Sequence, residues 1–118
     1  MKPPKHVYNS AITLKVCTAV DKWQAPTFAS YTITGVNFQN AHETALTKDN
    51  TEVTLNALCF VDSDYSTPHY DLWALQKQSE ANGQAMHIEA GGDDYEVLTV
   101  DRIENQYGRF DHWELSLK

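Results

Sequence analysis

Near the C-terminus, Asp111-His112-Trp113-Glu114 sets an imidazole between carboxylates, the side chains of a metal site or an acid–base pair. If this stretch is a strand, His112 and Glu114 project to one side about 7 Å apart, and Trp113, Leu115 and Leu117 to the other. Zinc takes three or four ligands, and His6, His42, His69 and His87 show no H-x-x-x-H pairing. The reading is therefore a final strand whose polar side faces solvent, with no metal or other cofactor.

Other chemistry is equally thin. There is no G-x-S-x-G elbow, and Cys17 and Cys59 lie in apolar, strand-like runs without the surroundings of a reactive thiol. Ala90-Gly91-Gly92-Asp93-Asp94 has no lysine for a phosphate loop and reads as a hairpin turn. Asp62-Ser63-Asp64 lacks the later glycine and glutamate of a calcium loop and reads as a turn. The expectation is a protein that is not an enzyme. Trp23, Tyr65, Tyr70 and Trp73 lie in or beside loops, where bulky aromatics are either core or interface anchors.

Composition narrows the classes further. The chain has 118 residues, enough for one domain with one core. The formal charge is −7, and its nine Lys and Arg form no basic stripe, which argues against a clamp on nucleic-acid phosphates. No apolar run reaches the roughly 20 residues of a membrane span, and no export signal is expected behind Met1. The cysteines show no metal spacing and read as reduced, half-buried packing residues; a Cys17–Cys59 bridge is the alternative.

The elements that must position these residues are mostly strands. Residues 11–20 alternate, with Ile12, Leu14 and Val16 on one face and Thr13 and Lys15 on the other. Residues 27–40 are β-branched and aromatic, yet the apolar parity changes from Tyr31 and Ile33 to Val36 and Phe38. An extra residue at Thr34-Gly35 restores it, which predicts a β-bulge. Residues 53–61, 84–90, 94–103 and the C-terminal stretch supply further strands. Residues 69–83 read as the one helix, with Leu72, Leu75 and Ser79 on a stripe, Trp73 beside it and Asn82-Gly83 ending it. Residues 41–51 read as a long polar loop. The predicted fold is mainly β, a small antiparallel barrel or sandwich of about six strands with one short helix, in a single domain preceded by an arm at residues 1–9.

The order of motifs resembles a known family. "DKWQAPTF", "YTITGVNF", "TKDNTEVTLNALCFVDSDYSTP", "DYEVLTVDRI" and "HWELSL" are similar to segments of the small minor capsid proteins of phages and prophages of Gram-positive bacteria. These show a D-x-W-G-x-P turn, an N-A-x-x-F-V-D segment followed by S-x-P, an N-G-x-x-Y-T-I hairpin and a C-terminal H-x-W/Y-E-L-x-L strand. The similarity spans residues 11–118. Gln24 stands where the family often has glycine, and 69–83 looks like an enlargement.

The resemblance implies a head-closure, or stopper, protein of the virion neck, assembled in the host cytoplasm. It implies a homo-oligomeric ring, sixfold or twelvefold, between the portal with its adaptor and the tail-completion or tail protein, in transient contact with packaged double-stranded DNA. No membrane partner is implied. On that reading the loop carrying His42, Glu43, Thr44, Lys48, Asp49 and Asn50 faces the lumen, and Trp23, Tyr65, Tyr70 and Trp73 are interface aromatics. A tail-completion protein of the same gene cluster is the alternative, followed by a small ligand-binding β-barrel.

Overall fold

A computed structural model describes residues 7–46, 50 and 52–118, with backbone alone at 41–46 and 53. The elements are β1 (Ser10–Val20), β2 (Pro26–Leu46), β3 (Glu52–Asp62), α1 (Leu72–Ala81), β4 (His87–Ala90), β5 (Asp93–Glu104) and β6 (Phe110–Leu117). Every pairing is antiparallel, and hydrogen bonds run round the closed order β1-β2-β3-β6-β5-β4.

Closure creates one interior, and alternation fills it. Ile12, Leu14 and Val16 of β1 are buried together with Ile33 and Val36 of β2, Cys59 of β3, Ile88 of β4 and Leu115 and Leu117 of β6. Each such aliphatic side chain stabilises the fold by about 1.5–3 kcal/mol relative to exposure. Cys17 and Cys59 are free thiols, both fully buried rather than half-buried. Burial pushes the Cys59 thiol up to about 12, because the low-dielectric interior disfavours thiolate.

The expected bulge is present. Ser10 stands opposite Val36 and Ala11 opposite Thr34, which leaves Gly35 as the extra residue, with φ +72°. The chain leaving β3 crosses here: a Cβ on Gly35 would overlap the Tyr65 carbonyl oxygen. Ser66 Oγ donates to the Gly35 carbonyl at 2.6 Å and accepts from the Asp62 N–H at 2.9 Å. Asp62 Oδ2 accepts from the N–H groups of Asp64 and Tyr65, so the acid after β3 shapes a turn, as the sequence predicts.

β4 is short and pairs with β1 only at Thr13, Leu14 and Lys15. Farther along β1, α1 takes its place. The Cys17 N–H donates to Ser79 Oγ at 3.1 Å, and Asn82 Nδ2 donates to the Cys17 carbonyl at 3.0 Å. Asp71 caps α1 by accepting from the Ala74 N–H, and Asn82 ends it. Leu72 and Ser79 are buried on the predicted stripe, and Leu75 packs partly against the core. These bonds satisfy a strand backbone that would otherwise be buried and unpaired.

One expectation is corrected. Residues 41–46 of the expected long loop are instead strand, since β2 continues to Leu46, and β3 begins at Glu52. Glu43 pairs with Leu55, Thr44 with Thr54, Ala45 with Val53 and Leu46 with Glu52. The register slips between Asn40 and Glu43, which breaks the alternation a sequence reading looks for. Pairing of β2 with β1 ends at Val36, and pairing of β3 with β6 ends at Ala57. Beyond those points the two strands continue as a two-stranded arm.

Candidate functional site

Antiparallel order gives the closed sheet two different ends. The β1–β2 and β5–β6 turns lie at one, and the arm and the β4–β5 turn at the other. The turn end carries the aromatics. Trp23 at the β1–β2 turn is 77% exposed and Tyr107 at the β5–β6 turn is 78% exposed. The far end carries Asp93 and Asp94 beside the β4–β5 turn and Glu43 and Glu52 along the arm.

The Trp23 turn is built by Asp21. Its Oδ1 accepts from the N–H groups of Trp23 and Ala25 at 2.8 and 2.9 Å, and its carbonyl accepts from Gln24 N–H. Gln24 has φ +65°, the left-handed region that glycine enters without strain, so the turn forms despite glutamine in that place. The Lys22 ammonium lies 5.1 Å from the centre of the Trp23 ring.

The other predicted aromatics are more deeply set. Trp73 remains 45% exposed, although its indole N–H donates to the Val100 carbonyl at 2.8 Å and its ring packs edge-on against Trp113. Tyr65 packs against Tyr8 and Tyr70 against Tyr31, each with ring centres 5.1 Å apart, so these two tie the β3–α1 crossover down. Tyr107 and Phe28, the latter 39% exposed, were not singled out by sequence. The available signal for Tyr107 is an aromatic at the tip of the Asn105 turn, where the Asn105 side chain accepts from the N–H groups of Tyr107 and Arg109 and no face exists to bury it.

Of the predicted lumenal residues, His42, Glu43 and Thr44 fall on the β2 side of the arm. Asn50 is an exposed bend with φ +61°. Lys48 and Asp49 lie outside the described residues. Three of the six thus share one strand, β2.

The Asp-His-x-Glu stretch sits in a cleft of about 680 Å³ on the outer face of the sheet, bounded by Asn37, Phe60, Glu104 and Tyr107. His112 and Glu114 share a side, as expected, but that side is not open: the His112 side chain is only 19% exposed. Its Nδ1 lies 2.7 Å from Asp111 Oδ2 and its Nε2 3.1 Å from Glu114 Oε1. Both ring nitrogens thus face carboxylate oxygens, and the tautomer sets which of them donates. Among the described residues, no three His, Cys, Asp or Glu side chains converge as a metal-binding group. The arrangement is an acidic, aromatic-walled recess.

No family model matches the chain, and no curated protein matches it.

Proposed function

We propose that the protein is a structural subunit of a phage neck, a head-closure or stopper protein that forms a ring between portal-adaptor and tail and retains packaged DNA. The observation that carries this reading is the two-ended build: exposed aromatics on rigid turns at one end and a long two-stranded arm at the other. A part that sits between two different partners needs two different faces, and aromatics on short turns are good anchors for one of them. The arm reaches beyond the closed sheet and is suited to cross a ring lumen.

Charge supports the same role. A protein of formal charge −7 repels phosphates over a Debye length of about 8 Å at physiological salt, so DNA passes without adhering and retention is steric. The aromatics Trp23, Tyr65, Tyr70 and Trp73 divide accordingly: Trp23 and Trp73 are the docking candidates, and Tyr65 and Tyr70 hold the fold. A second reading, a ligand-binding barrel, is favoured only by the recess at His112.

Shortening the arm tests the proposal. Replacing residues 43–54 by a tight turn should leave the closed sheet folded, because its pairings to β1 and β6 lie outside that segment. Particles carrying the variant should package DNA and then lose it while keeping the protein in the neck. Full, infectious particles would remove the arm as the gate.

A further inference from the structure

β2 has two edges, and the second is only partly occupied. One edge pairs with β1 from Pro26 to Val36. The other pairs with β3 from Asn37 onward and then, at Thr34, with Thr67 alone. The Thr34 N–H donates to the Thr67 carbonyl at 2.8 Å, and the Thr67 N–H donates back at 3.0 Å, so the Thr34 backbone points away from β1.

Backbone groups alternate between edges along an antiparallel strand. Thr32, Ser30 and Phe28 therefore present their N–H and C=O groups to the same outer edge as Thr34. β1 agrees from its own side: Phe28 stands opposite Cys17, whose backbone also points away from the pair, toward Ser79 and Asn82. Among the described residues no strand pairs with Phe28, Ser30 or Thr32 on the outer edge, and all three are exposed.

This edge also lacks the usual protection. Exposed edges are ordinarily blunted by Lys or other charges against strand addition. Between Lys22 and Glu43 there is no Asp, Glu, Lys or Arg, in a chain of which 21% is charged. Two copies at −7 each repel across most of their surface, and an uncharged edge lets them meet without opposing like charges. A strongly charged partner would find nothing here to recognise.

We propose that residues 28–32 of β2 pair with the same residues of a second copy, antiparallel, with Ser30 on the two-fold axis. Phe28 of each copy then faces Thr32 of the other, an aromatic beside a β-branched side chain, and the outward groups of three residues exchange about six hydrogen bonds. Thr67 already fills the position opposite Thr34, so the ladder between copies ends at the Phe28–Thr32 pairs and each strand leaves the edge before Pro26. Such a contact closes on itself, whereas a ring of subunits needs a head-to-tail contact on other surfaces, so either can exist without the other.

Sedimentation equilibrium on the full chain, over a wide range of concentration, tests the contact. The native protein should move toward twice its 13.4 kDa as concentration rises. Ser30→Pro removes an N–H that pairs with no strand among the described residues, and Ser30→Lys places a charge on the edge; both should stay at single-chain mass with an unchanged circular dichroism spectrum. Ser30→Cys should oxidise to a covalent dimer, since residues in a hydrogen-bonded antiparallel pair sit about 5.5 Å apart at Cα, within disulfide reach. If Ser30→Pro fails to fold, the Lys and Cys variants decide. A native chain that is monomeric throughout, or a dimer or larger assembly unmoved by Ser30→Lys, would overturn the proposal, and the larger assembly would leave the ring reading standing.

Discussion

Substituting Gly35 by alanine places two separable loads on the fold. The backbone there has φ +72°, and an L side chain in the left-handed region costs about 1–2 kcal/mol. The new Cβ also meets the Tyr65 carbonyl oxygen, a backbone atom that cannot rotate away, and lies 3.1 Å from its carbon. Relief requires the crossover to lift. Lifting weakens the two Thr34–Thr67 bonds and the Ser66–Gly35 bond, each contributing about 1 kcal/mol. The sum is roughly 3–5 kcal/mol, a large share of the 5–15 kcal/mol that holds a typical domain together. Gly83 is the control: φ is +76° and nothing lies within 4 Å of an added Cβ, so Gly83→Ala carries the backbone load alone. Urea unfolding of both variants measures the difference. Equal losses for Gly35→Ala and Gly83→Ala would refute the close crossover, and a native-like Gly35→Ala would refute the bulge as well.

Gln24→Gly should stabilise the protein by up to about 1 kcal/mol, since it relieves a left-handed glutamine and gives back part of that through unfolded-state entropy; the urea midpoint reports it. Ser79→Ala should cost about 1–3 kcal/mol, because it leaves the buried Cys17 N–H without its acceptor, and the Cys17 amide should exchange hydrogen faster. Cys59 should resist thiol reagents in the native state and react on unfolding. Its folded value of about 12 lies above the ordinary 9.0, so its contribution is complete below about pH 9 and is lost as pH rises toward 12; Cys59→Ala should flatten that part of the pH–stability curve.

Period-two patterning made β1 legible because Ile12, Leu14 and Val16 face one interior. The parity change around Gly35 placed the bulge for the same reason, since only an extra residue keeps Ile33 and Val36 both inside. The arm was not legible. Its strands pair chiefly with each other, a register slip sits between Asn40 and Glu43, and a two-stranded ribbon outside the core has little reason to alternate. The recess at His112 was half legible: the carboxylates beside the imidazole are local in sequence, but Asn37 of β2 and Phe60 of β3 reach its wall only through strand pairing. Long-range closure also explains why half-buried cysteines were expected where fully buried ones occur, because α1 covers Cys17 from a distance in sequence.

The neck assignment is tested most directly by locating the protein in particles. A tag fused after Lys118, at the end of β6 and away from the exposed aromatics, can be gold-labelled in tailed particles assembled with the tagged protein and viewed by electron microscopy. The account predicts label confined to the head–tail junction. Label along the tail, over the head, or absent from purified particles would contradict it.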